Sequence, residues 1–199
     1  MEQYLRATDF FDWNMPEVES KANELTEGLD SPEKKAKALF YFIRDKIKYR
    51  IVLEDLNENI FKASTTLARG YGFCIPKANL LVALARASSI PSRLHFADIR
   101  NHQLPSHILE RLGTNLMTYH GYVEFFLNDK WIKVNPAFDI EMCKKFDIIP
   151  VEFSGKNDAL FHHLDQKGRL HIDYLKDHGT FEDFPYERVI KAFTSEYKR

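Results

Sequence analysis

Cys74, His120 and Asn135 are the residues of this chain whose types could do covalent chemistry together. Cys74 follows Gly70-Tyr71-Gly72-Phe73, and Pro76 stands two positions on. Proline is tolerated in the first turn of a helix but not in its middle, so the helix predicted from Cys74 to about Ser88 begins at or beside the cysteine. A thiol there meets unpaired backbone N–H groups and the positive end of the helix dipole, and both favour thiolate. The same N–H groups can hold an oxyanion during acyl transfer. The two glycines let a substrate come close to the backbone. A cysteine nucleophile then needs a partner that takes and returns a proton, most often histidine.

A hairpin must position that histidine. Tyr119–Leu127 and Trp131–Val134 read as two strands around Asn128-Asp129, a favoured turn pair. Strand alternation puts His120, Tyr122, Glu124 and Phe126 on one face. A two-residue loop pairs Leu127 with Lys130 and carries the register on until Asn135 faces Tyr122. Asn135 is then a diagonal neighbour of His120, within reach of a hydrogen bond that orients the ring and selects its tautomer. A three-residue loop would reverse the parity. Taken singly, each residue has a plainer use. A lone cysteine serves as a small buried hydrophobe, one histidine among 8 as a surface or hydrogen-bonded group, and an asparagine before Pro136 as a turn residue.

The first part of the chain reads helical. Pro16 opens a helix predicted to reach Leu29, with Val18, Ala22, Leu25 and Leu29 at helical spacing. Ser31-Pro32-Glu33 caps and starts a second, predicted to run to Tyr49. Ile60–Gly72 reads as irregular or a short helical turn, broken by Gly70 and Gly72. Asn79–Ala85 is apolar nearly all round, which marks the cysteine helix as central and buried. Ser92–Arg100 reads as a strand, Asn101–Gly113 as a loop with one helix, Gly168–Leu175 as a strand and Tyr186–Tyr197 as a helix. Asp9–Trp13 is expected to pack the N-terminal segment onto the core.

The chain has 199 residues, 28 basic and 29 acidic, for a formal net charge of -1. That length suits one domain with a real core. The charge balance, with no basic patch interleaved with aromatics, argues against a nucleic-acid partner. Sixteen Phe and 9 Tyr argue for a packed core or deep cleft. Two cysteines, Cys74 and Cys143, make neither a disulfide framework nor a Cys-rich zinc site. The longest apolar run, Asn79–Ala87, is too short to span a bilayer, and the first residues carry no basic-then-apolar leader pattern. A cytoplasmic protein with no membrane partner is the expectation. His102, His107, Glu110 and Cys143 do not follow a zinc spacing, so no metal is expected. His162, His163 and Asp165 are expected to be solvated.

Several segments together resemble the transglutaminase-like superfamily. Gly72-Phe73-Cys74 at a helix start, Leu84-Ala-Arg86-Ala through Ile90-Pro91-Ser-Arg93, His120-Gly-Tyr-Val-Glu124 and Trp131-Ile-Lys-Val-Asn135-Pro136 fall in that family's order and spacing, over roughly Ser31 to Asp139. The resemblance implies an α+β, papain-like fold: N-terminal helices, with a central Cys-bearing helix packed on an antiparallel sheet. It implies a single domain over 1–199, with its core at about 31–140 and a C-terminal extension at 141–199. Carried over by motif, Cys74 is the nucleophile, His120 the general base and acid, and Asn135 the orienting residue. Substrates would be peptides, proteins or small amides passing through a thioester, with no cofactor.

Tyr71, Phe73, Tyr122 and Trp131 flank the trio and are assigned as cleft walls; core packing is the alternative use. Glu124 is expected to form a structural salt bridge. Two departures stand out. Asn135 takes the place of the family's usual Asp, which predicts a weaker thiolate–imidazolium pair and opens an alternative: a catalytically weak or inactive protein acting as a binding module. Ser89 replaces the usual Gly before Ile90-Pro91, which predicts a slightly different helix end.

Overall fold

The computed structural model describes residues 1–52 and 56–197. Its helical part forms largely as the spacing dictates. Helix α1 (Pro16–Thr26) buries Val18 and Ala22. It stops short of Leu29 because Gly28 turns the chain at φ 70°. Helix α2 (Pro32–Lys46) is capped by Ser31, whose Oγ accepts from the Lys34 N–H at 3.3 Å. Its predicted end at Tyr49 is overtaken by strand β1 (Lys48–Tyr49).

Residues Ile60–Gly72 are more ordered than predicted. After a 3-10 turn (Glu58–Phe61) they form helix α3 (Ala63–Arg69) and strand β2 (Tyr71–Gly72), which pairs in parallel with β1. Ser and Thr have modest helix propensity, so local pattern gave little signal here. Tertiary contacts supply the order. Asp12 accepts from the Ser64 N–H at 2.9 Å, and Thr66 is fully buried. The Asp9–Trp13 segment does pack onto the core, with Phe11 fully buried.

Helix α4 (Cys74–Ala87) is buried from Cys74 through Arg86. Burying polar side chains in a helix covered on all sides is costly unless they find partners, and most of those on α4 do. Lys77 donates to the carbonyls of Arg44 (3.1 Å) and Ile47 (2.6 Å), near the C-terminal end of α2. Asn79 Nδ2 donates to the Phe61 carbonyl at 2.8 Å. Arg86 donates to the carbonyls of Ser92, Arg6 and Glu182. Just beyond, Ser89 adopts φ 62°, a left-handed conformation that a glycine would hold without strain.

The rest is an antiparallel sheet with α4 against one face. Strand β3 (Ser92–Asn101) is followed by helix α5 (Ser106–Leu112). Strands β4 (Leu116–Leu127) and β5 (Lys130–Val134) form the predicted hairpin. Helix α6 (Ile140–Phe146), strand β6 (Ile172–Phe181) and helix α7 (Tyr186–Glu196) complete the chain. The strand order is β5-β4-β3-β6. Leu127 pairs with Lys130 and Val123 with Val134, and Asn128 and Asp129 both have positive φ, so the turn is the two-residue, primed type.

Strand β6 begins later than the predicted Gly168 start. Gly168 instead belongs to a turn wrapped around Asp165, whose carboxylate takes the backbone N–H groups of Lys167 and Arg169 and the Arg169 guanidinium. Asp165 is therefore buried, not solvated. The expected 141–199 extension contributes β6 to the common sheet; its last two residues lie outside the described residues. Among the described residues, no helix is long and apolar enough to cross a membrane.

Candidate active site

Cys74 is the first residue of α4, and the start of α4 lies against β4 at Gly121. A Cβ on Gly121 would stand 3.5 Å from the Ile75 Cα and 3.0 Å from the Phe96 ring, so only glycine lets the strand come this close. His120, its neighbour, lines the same small cavity as Cys74, about 20 Å³ in volume.

A bulge aims that histidine. Ala97 pairs with His120 but Ile99 pairs with Met117, so two residues of β4, Thr118 and Tyr119, oppose Asp98 alone. Tyr119 takes φ 49° there. One oxygen of Asp98 holds the bulge, accepting from the Thr118 hydroxyl (2.8 Å), the Tyr119 N–H (3.0 Å) and the His178 ring (2.7 Å). Burial would raise its carboxyl pKa, but these hydrogen bonds hold it below the usual range. Extra residues at bulges re-aim side chains, and the sequence pattern gives no hint of this one.

Asn135 meets His120 as the register requires. Its Nδ2 donates to His120 Nε2 at 2.8 Å, and more weakly to the Tyr174 hydroxyl at 3.3 Å. Its Oδ1 accepts from the Ala137 N–H at 3.2 Å, which settles which end of the amide faces the ring. An amide nitrogen only donates, so Nε2 must accept, and the neutral imidazole carries its proton on Nδ1. The ring is packed between Tyr122 and Phe161, at centroid distances of 6.4 and 5.3 Å.

The sulfur lies deeper than the sequence implies. Cys74 is 5% exposed, behind Tyr49, Phe73, Phe193 and Tyr197. Tyr197 is held there by the Thr118 N–H, which donates to its hydroxyl at 2.9 Å. Burial pushes the thiol up to about 11, although the backbone groups of Gly121, Ile75 and Cys74 pull the other way. Burial likewise pushes His120 down to about 3, against the Asn135 hydrogen bond. In this conformation the pair is therefore thiol and neutral imidazole. The expectation of a thiolate at the start of α4 is corrected: desolvation outweighs the helix terminus.

The four assigned cleft walls have different places. Phe73 lines the sulfur cavity. Tyr71 is half-buried beneath the guanidinium groups of Arg50 and Arg69. Tyr122 is buried in a row of rings between His95 (4.6 Å) and His120, supporting the imidazole from behind. Trp131 stands apart, packed on Arg93 (3.9 Å) and Tyr4 (4.9 Å) and paired with Phe126, six residues along β4 from His120. At about 3.3 Å per residue that is roughly 20 Å from the imidazole, so its assignment as a cleft wall is corrected. Glu124 does form the expected salt bridge, 2.7 Å from Arg93, and also meets the His95 ring at 2.7 Å. Tyr49, Ile51, Met117, Thr118, Phe193 and Tyr197 complete the walls of the sulfur cavity, and no sequence motif singles them out. Among the described residues, no three His, Cys, Asp or Glu are grouped to hold a metal ion.

Comparison with known proteins places this chain in a family. Residues 19–136 match the model of the transglutaminase-like superfamily. No curated protein matches. Among solved structures, a candidate cysteine protease from Cytophaga hutchinsonii superposes with a TM-score of 0.55 at 17% identity, over 90% of this chain and 46% of that one. The periplasmic domain of TgpA from Pseudomonas aeruginosa gives 0.45 at 20% identity, over 61% of this chain and 43% of that one. Red sea bream transglutaminase gives 0.43 at 15%, over 63% and 27%. The chain thus spans less than half the length of these three structures, and the first of them supports the fold. With more than half of its residues matched to the family model, this chain belongs to the transglutaminase-like superfamily.

Proposed function

We propose that the protein is a cysteine-nucleophile enzyme acting on amides, with Cys74, His120 and Asn135 as its reacting group. The Cys74 sulfur attacks the carbonyl carbon, and the thiol proton passes to Nδ1 of His120 after the ring proton moves to Nε2 and the Asn135 amide turns so that its oxygen accepts it. The backbone N–H groups at the start of α4 face the developing oxyanion. His120 then protonates the leaving amine as the C–N bond breaks, leaving a thioester. Water or a second amine attacks the thioester, gives its proton to His120, and releases an acid or a new amide as the thiol is restored. Peptides, proteins or small amides are the substrate class.

The observation that carries this reading is the 2.8 Å hydrogen bond from Asn135 to His120 on the wall of the Cys74 cavity. The burial of the sulfur favours a second reading, a binding module on the same fold with little catalysis. Alkylation with iodoacetamide separates them. The enzyme reading expects Cys74 to be labelled at neutral pH and the rate to fall about tenfold or more in His120→Ala. Equal, slow labelling of both proteins supports the binding module.

A further inference from the structure

Two cavities meet at His120. The smaller is lined by Cys74; the larger, about 490 Å³, opens beside it without reaching the cysteine. They share four walls: Tyr49, Ile51, Met117 and His120. Whatever reaches the sulfur from the larger space passes those four residues.

The larger space presents an apolar interior, built from Ile99, Leu104, Ile108, Phe138, Met142 and Phe146. Asn101, Gln103 and Asp139 in its wall are already hydrogen-bonded. Asn101 Oδ1 accepts from the Gln103 N–H at 3.0 Å, and Gln103 Nε2 donates to Asp165 and to the Leu170 carbonyl, both at 2.9 Å. Asp139 accepts from the backbone N–H groups of Tyr49 (2.9 Å) and Met142 (3.0 Å). Polar groups already satisfied offer little to a ligand, so the hollow selects by apolar burial. Its rim differs in charge. Lys48, Arg50 and Lys145 stand there, and the rim carboxylate of Glu141 is bound to Lys48 at 2.7 Å. Among the described residues that line the hollow, three cations stand against Asp139 and Glu141, a net positive charge.

We propose that this hollow receives the acyl side of the substrate, and that the preferred acyl group joins a bulky apolar residue at the scissile amide to a carboxylate on its N-terminal side. This rests on Cys74 and His120 as the reacting pair. The apolar side chain enters between Ile108 and Met142, its carbonyl passes the shared walls toward the sulfur, and the carboxylate meets Arg50 and Lys145. A basic residue at the apolar position would lose its hydration and meet only Asp139, whose carboxylate is already held by two backbone N–H groups.

The test measures coumarin release from aminomethylcoumarin amides of succinyl-Ala-Phe, acetyl-Ala-Phe, succinyl-Ala-Ala and succinyl-Ala-Lys, which reports acylation whether water or an amine resolves the thioester. The Phe amide should exceed the Ala amide in kcat/KM by about 10- to 100-fold. Succinyl should exceed acetyl by about threefold at low salt and lose that advantage at high salt. Ile108→Glu, or Met142→Arg on the facing wall, should cut the Phe-to-Ala ratio about tenfold. Equal rates for Phe and Ala, or a preference for Lys, overturn the proposal, and equal rates for succinyl and acetyl overturn its charged half. Cys74 alkylation measured in parallel keeps the two readings apart. Labelling that depends on His120, with no apolar preference or no release from any amide, removes the hollow's role and leaves the reacting pair. Labelling indifferent to His120, with no release, removes both.

Discussion

Asn135 donates its side-chain N–H to Nε2 of His120, the reverse of the bond a carboxylate would make at that position. The neutral ring is thereby held with its proton on Nδ1. Asn135→Asp replaces a donor by an acceptor. The Nε2–H tautomer becomes the favoured one, Nδ1 is freed to accept a proton, and an adjacent negative charge stabilises imidazolium. His120 should titrate well above its present value of about 3, and iodoacetamide labelling of Cys74 at neutral pH should rise about tenfold. Long-range proton–nitrogen spectra of the ring give the tautomer directly, and an unchanged pattern in Asn135→Asp would refute the assignment.

Phe193 and Tyr197 stand over the sulfur. Phe193→Ala and Tyr197→Ala remove cover without touching the reacting groups. Each should speed alkylation of Cys74 about fivefold to tenfold, by raising the open population and easing the desolvation that holds the thiol near 11. Measuring the rate against pH checks both effects: the variant profiles should turn over at lower pH than the parent. Superimposable profiles would mean that the helix end does not limit access.

Acid should destabilise the fold before most carboxylates titrate. Burial lowers His120 to about 3 and His171 to about 4, from an ordinary value of 6.5. The His171 ring is buried, and a backbone group of His162 is too weak to offset its desolvation. From 6.5 downward the unfolded chain binds protons that the folded chain does not, so stability falls with pH through that window, by up to about 1.4 kcal/mol per pH unit for each group. Lys77, lowered to about 7 by burial, has the same sign at higher pH: stability grows from about 7 toward 10.5. Urea titrations from acid to alkaline pH read the slope directly. His171→Phe should flatten the acid limb, and a limb as steep as the parent's would assign that slope to other groups.

Gly121→Ala puts a methyl against Phe96 and Ile75, whose nearest atoms lie 3.0 and 3.3 Å from the new carbon. Strand β4 must then back away from α4 or crowd it. A loss of about 1–3 kcal/mol is expected in chemical denaturation. His120-dependent labelling should weaken too, because the same displacement separates the ring from the sulfur. Full stability and full labelling together would show that the close approach is not needed.

Elements with a strong local signal were legible in the sequence. Ser31-Pro32 marked the start of α2, Pro76 limited the start of α4, and Asn128-Asp129 set a turn whose parity placed Asn135 beside His120. What escaped depended on contacts between distant segments. Helix α3 is stabilised through Asp12 and Thr66, not through its own propensity. The bulge before His120 depends on Asp98 from another strand. Asp165 reads as solvated until the turn that wraps it is seen. The protonation of Cys74 was misjudged for the same reason. A helix start is visible in a sequence, but the four aromatic residues that exclude water from it come from β1, the approach to α4, and the end of α7.

Helix α7 is buried through Val189 and Phe193, and its strongest anchors lie at the N-terminal end. Phe184 is buried against Phe61 at 4.7 Å, and the Tyr186 hydroxyl donates to the Leu56 carbonyl at 2.9 Å. Upstream, Arg86 grips the Glu182 carbonyl at 2.6 Å. A rigid swing of the whole helix would break all three. Unwinding of its final turn breaks the Thr118–Tyr197 bond and lifts Phe193 off Phe73 while the N-terminal anchors stay in place. Opening of the sulfur to solvent is then expected to run as a local helix–coil equilibrium. Exposed substitutions near Lys191 that change nothing but backbone propensity should tune how often the thiol meets solvent.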